Sequence, residues 1–186
     1  MKKSLLIQIL FPFLTFAQKP YTPDTSINGV SLMDWKSFER KFSGYKLPDY
    51  FEADHSPKLE FISFNKSQKL VVSHCYGSHK NSICTFRVEF RKKADSIPSF
   101  GVLVKEITYK TGRGIYLGMT IEEFKKKVET KKYESKSEKG KLKITIKLDD
   151  LKNNPFLQSY NMPVYLGKYY FKRGRLILFE FGFPNP

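Results

Sequence analysis

Four side chains between positions 74 and 84, His74, Cys75, His79 and Cys84, are of the types that hold zinc. A structural zinc site needs four donors converging on a tetrahedron. His74 and Cys75 are adjacent, and on a strand neighbours point to opposite faces, so this set converges poorly. The competing reading is a disulfide between Cys75 and Cys84, which stand 9 positions apart. It would close a loop of about ten residues, worth about 2–3 kcal/mol in the chain-entropy model. Lys69–Val72 runs into Cys75, and Cys84–Arg91 runs out with strict alternation, which places the bridge at the mouth of a β-hairpin. We therefore expect a disulfide, no metal and no other cofactor.

His55 has Glu52 and Asp54 close by in a segment bounded by Pro48 and Pro57, a base and acids in composition. Hydrolysis also needs a nucleophile and oxyanion donors that converge on one point. The chain holds no G-x-S-x-G, no H-E-x-x-H and no P-loop, so no catalytic residue is assigned. A secreted hydrolase using His55 or His74 with nearby carboxylates is the enzymatic alternative. Thr111-Gly112-Arg113-Gly114 has the look of a phosphate-cradling loop, but the expected helix begins only after Thr120, too late for its N-terminus to meet the anion. These glycines read as a turn or bulge between strand and helix.

Charge sets the next bound. The chain has 33 basic and 18 acidic side chains, a formal net charge of +15. Such an excess attracts polyanions without specifying which. The lysine-rich stretch Lys125–Lys143 is broken by Glu129, Glu134 and Glu138, and Lys125, Lys126 and Lys127 lie off the apolar face of their helix. Specific nucleic-acid recognition adds arginines and exposed stacking aromatics; arginines are few here, so no specific nucleic-acid partner is expected. An envelope polyanion remains a partner to test.

The N-terminus carries an address. Lys2 and Lys3 precede an apolar run from Leu5 to Leu14, which ends on Thr15-Phe16-Ala17, the pattern of a secretory signal peptide. Gln8 and Pro12 interrupt the run, which is shorter than the roughly 20 residues of a spanning helix. We expect cleavage after Ala17, a periplasmic or extracellular protein, and no transmembrane segment after cleavage. Residues 18–27 read as an extended leader.

The elements that must position these groups form two similar units, 28–110 and 111–186. Gly29–Phe42 parallels Gly114–Val128 with one inserted residue, Gly118, after which Met33 matches Met119, Phe38 matches Phe124 and Phe42 matches Val128. Thr120 and Glu123 make a capping box, Met119 and Phe124 a hydrophobic staple, and Ile121, Phe124 and Val128 one helical face. Asp34 caps the first copy, where Trp35, Phe38 and Phe42 repeat the spacing and Ser37 replaces the capping-box acid. Strands are expected over 58–64, 68–75, 84–91 and 102–109, then 142–148, 164–172 and 175–183, with a loop from Asp149 to Pro163. Alternation implies antiparallel sheet with one wetted face. The fold class is α+β: two units, each a helix followed by antiparallel strands, with the helix packed on one sheet face.

The segment Thr111–Thr120, running into Glu122-Glu123-Phe124, resembles the phrase that leads a strand into a capped helix in β-lactamase-inhibitor-protein-like domains and in small lipoproteins of outer-membrane assembly. The motif is structural. In the inhibitor-protein group two helix-plus-sheet units share one concave sheet that grips a protein. This chain has a single cysteine pair and no inhibitory loop, so that activity is not carried over. The last hairpin supplies the binding candidates. Tyr165, Tyr169 and Phe171 share one face and Lys168, Tyr170 and Lys172 the other, with Arg173 in the turn. On the partner strand Ile177, Phe179, Phe181 and Phe183 are expected opposite Leu176, Leu178 and Glu180. Together these features predict an exported, non-enzymatic module that contacts a protein or envelope component through a sheet face.

Overall fold

The computed structural model describes residues 21–45, 58–75, 83–91, 101–128 and 133–184. The expected signal sequence, His55 with Glu52 and Asp54, and His79 lie outside the described residues. A short hairpin opens the fold, β1 (Ser26–Ile27) and β2 (Val30–Ser31), followed by α1 (Trp35–Phe42). Then come β3 (Lys58–Ile62), β4 (Gln68–His74), β5 (Ile83–Phe90) and β6 (Gly101–Leu103). The second half holds α2 (Ile121–Val128), β7 (Glu134–Glu138), β8 (Lys141–Leu148), α3 (Pro155–Tyr160), β9 (Tyr165–Lys172) and β10 (Arg175–Gly182). Strands β3 to β10 make one 8-stranded sheet in the order β6-β3-β4-β5-β10-β9-β8-β7. Strand β5 pairs antiparallel with β10, so the first-half and second-half strands meet at the middle of the sheet.

One row of Cα partners crosses the whole sheet: Val102, Phe61, Leu70, Val88, Phe179, Tyr169, Ile144 and Ser135. Residues in register share a face, and all three helices sit on the face this row defines. Phe42 stacks on Phe61 at 4.0 Å between ring centroids, with Phe38 edge-on at 5.7 Å. Phe124 of α2 meets Tyr169 at 4.5 Å, and Phe156 of α3 meets Tyr165 at 5.6 Å. Each of these rings except Phe156 is buried.

Local chemistry explains where the helices start. In α2 the Thr120 amide donates to Glu123 Oε2 at 2.7 Å and the Glu123 amide to Thr120 Oγ1 at 3.1 Å, the expected capping box. In α1 the Ser37 amide donates to Asp34 Oδ1, while the Ser37 hydroxyl donates to the Asp34 carbonyl and accepts from the Ser31 amide. Ser37 thus trades half of a capping box for a clasp between helix and β2.

Four differences from the sequence expectation have physical causes. The strand expected over 102–109 is only Gly101–Leu103 and runs parallel to β3, because it returns along the sheet edge after β5 instead of turning back in a hairpin. The loop expected over Asp149–Pro163 contains α3, begun by the Asn154 side chain accepting from the Phe156 and Leu157 amides with Pro155 in the first turn. Strand β7 has every residue exposed and so shows no apolar alternation. Of the leader expected over 18–27, the described part from Tyr21 onward is drawn into the fold: Ser26–Ile27 form β1, and Asp24 and Ile27 are buried.

The final strand differs in phase as well. A bulge between Leu176 and Leu178 makes Ile177 the extra residue, so Leu176 joins Phe179 and Phe181 in the core. The turn before it, Arg173-Gly174, has φ of 50° and 72°, and Lys139-Gly140 between β7 and β8 has 49° and 71°. Positive φ at both central residues is what the right-handed strand twist demands of a two-residue hairpin.

Candidate functional site: the second face of the sheet

The face opposite the helices carries charge where the first carries rings. Among the described residues no helix lies on it. Glu60, Val71, Arg87, Glu180 and Lys168 fall in one register row, with Lys69, Glu89, Leu178 and Tyr170 in the next. These side chains form a ladder of ion pairs across β3, β4, β5, β10 and β9. Lys69 Nζ lies 3.2 Å from Glu60 and 3.3 Å from Glu89. Arg87 reaches Glu89 at 2.8 Å and Glu180 at 3.6 Å, and Lys168 closes the series at 3.7 Å from Glu180. Burial alone would raise the Glu89 carboxyl, but the Arg87 hydrogen bond and charge, with Lys69 beside them, hold it below the usual carboxylate range. Pairs this wet contribute only about 0.2–1 kcal/mol each; the ladder fixes register more than it adds stability.

A concavity of about 360 Å³ opens on the same face, lined by Lys58, Val71, Ser73, Thr85, Arg87 and Glu180. It offers hydroxyls and both signs of charge around one apolar wall. His74 also borders it, yet the residue is only 3 % exposed and its imidazole lies 5.3 Å from the Trp35 ring. Burial lowers its pKa to about 4, so it is neutral at physiological pH. Cys75 and Cys84 form the expected disulfide, with Cα atoms 5.0 Å apart at the ends of β4 and β5. Among the described residues no group of three or more His, Cys, Asp or Glu side chains is arranged to hold a metal.

The binding residues expected from the last hairpin separate into two places. Lys168 and Tyr170 lie half-buried within the charged face, Lys168 paired to Glu180 and the Tyr170 ring 5.8 Å from Lys143 Nζ. Lys172 and Arg173 are exposed at the hairpin end. Arg173 borders a second concavity of about 210 Å³ on the helix side, with Ile121, Leu142 and Phe171.

Thr111–Gly114 is a clasp and not an anion loop. The Arg113 amide donates to Asp24 Oδ1, its Nε donates to the Lys127 carbonyl at the end of α2, and Nη1 donates to the Thr22 carbonyl. Tyr165 adds a hydroxyl bond to the Asp24 carbonyl at 2.9 Å. Burial raises the Asp24 carboxyl, against the Arg113 amide and Thr111 hydroxyl that bond it. Asp24 and Arg113 escaped the sequence reading because their partners lie far away along the chain, with no periodicity to announce them.

No protein-family model matches this chain, and neither a curated protein nor a solved structure shows significant similarity to it. Among the described residues no helix is long and apolar enough to cross a membrane.

Proposed function

We propose that this chain is an exported, non-enzymatic binding module built of two similar α+β units, and that it docks a protein partner on the second face of its sheet. The observation that carries the reading is the ladder from Glu60 to Lys168, half-buried and bordered by the 360 Å³ concavity. Its three carboxylates and three cations cancel. A neutral face of alternating sign suits a protein surface that offers the complementary alternation, and gives a polyanion nothing to gain. The two-unit description is supported by α1 and α2, each 8 residues long and 86 positions apart, and by the antiparallel meeting of β5 with β10. Export is supported by the disulfide, which persists in oxidising compartments.

The test is capture from envelope extract at moderate salt by the tagged protein. A saturable protein partner, lost on Arg87→Gln with Tyr170→Ser, is the expected result. Recovery of salt-labile polyanions alone would contradict it. N-terminal sequencing of the exported form should begin at Gln18.

A further inference from the structure

The hairpin ends of β7–β8 and β9–β10 lie side by side, because Lys141 and Lys172 are direct register partners. Their tips bring together Lys139, Lys141, Lys172 and Arg173, all exposed. Among the described residues none of these four has a carboxylate within 4.0 Å. Glu138, the register partner of Lys141 on β7, lies 3.9 Å from Lys136, and Glu123 closes the α2 capping box. Placing Lys141 directly opposite Lys172, and Lys136 opposite Lys143, sets like charges against each other at a cost in stability. Between the tips opens the 210 Å³ concavity, with Ile121, Leu142 and Phe171 as apolar wall and Lys141 and Arg173 at its edge.

We propose that the paired tips are a contact for an anionic phospholipid surface, at the end of the sheet beyond the ion-pair ladder. Three of the four cations are lysines, compact point charges without the fork that grips one carboxylate or phosphate bidentately. They suit a dense array of headgroups better than a single oriented anion. The apolar recess beside them accepts the first methylenes of one acyl chain. At the end of two adjacent turns, the cations reach a flat surface without the sheet having to open.

The test measures partition of the full mature chain onto vesicles of phosphatidylglycerol in phosphatidylcholine. Two charge-matched triples are compared, K141Q/K172Q/R173N at the tips and K36Q/K105Q/K152Q elsewhere on the surface, with unfolding curves to show that both retain the fold. At about 1 kcal/mol per cation near an anionic surface, the tip triple should lose roughly a hundredfold in partition and the control triple far less. Equal losses would overturn the proposal, since net charge alone would then explain binding. So would absence of binding to the anionic vesicles. Displacement of the bound wild type by millimolar inorganic phosphate, but not by chloride of equal ionic strength, would point instead to a small-anion site and equally overturn the membrane contact.

Discussion

The two faces of the sheet are built on different physics from the same strands. Along β9, Tyr169 points into the helix face and is 1 % exposed, while its neighbour Tyr170 points the other way and stays half-buried beside Lys143. The helix face is closed by packed rings: Phe61 stacked under Phe42, and Tyr169 tilted against Phe124. The second face is held by charges that partner one another from Glu60 to Lys168. Ring packing resists salt and tolerates no loss of volume, whereas wet ion pairs are weak and salt-sensitive. Stability therefore belongs to one face, and the other is the one we propose for contact.

The sharpest way to break this division is to hollow the first face. Phe61→Ala, beneath both α1 rings, should cost about 3–5 kcal/mol in denaturant unfolding at any ionic strength. A loss below 1 kcal/mol would mean the helix is not bearing on the sheet.

Acid probes the same face from its edge. His74 takes a proton in the unfolded chain below about pH 6.5 but in the folded chain only near pH 4, where burial has pushed it. Because the folded pKa is depressed, this group contributes no pH dependence above about 6.5, and stability falls below it by up to about 1.4 kcal/mol per pH unit until pH 4. His74→Phe should flatten that segment of the pH–stability curve; an unchanged slope would assign it to carboxylates instead.

Effects shrink on the second face. Glu180→Gln removes the carboxylate shared by Arg87 and Lys168 and should cost about 0.5–1 kcal/mol at low salt, fading towards zero at about 1 M. Lys168→Gln, at the end of the ladder, should change stability by no more than about 0.5 kcal/mol. If it did more, the ladder would be structural and the contrast between the faces would blur.

Much of this division is legible in the sequence, for reasons that particular residues make plain. Period-two alternation announces β5, β8 and β9, and the Thr120–Glu123 box announces α2, because each signal is local. The pairing of Cys75 with Cys84 is likewise visible from spacing and flanks. Strand β7 is hidden because an edge strand wet on both sides needs no apolar residues. Helix α3 is short enough that only Asn154-Pro155 signals it. The bulge at Ile177 shifts the phase of β10, and nothing in the residues themselves marks the slip. The ladder is invisible without register, since Lys69, Arg87 and Lys168 become neighbours of Glu60, Glu89 and Glu180 only when five strands align. The clasp of Asp24 and Arg113 spans 89 positions and falls in the same category.

Adjacent tyrosines give the most direct test. Nitration of the folded chain, mapped by mass spectrometry, should modify Tyr170 while sparing Tyr169 and Tyr165, and a bound partner should then suppress the Tyr170 signal. Equal protection of Tyr169 and Tyr170 in the isolated chain would contradict an open second face, and with it the division of labour between the two sides of the sheet.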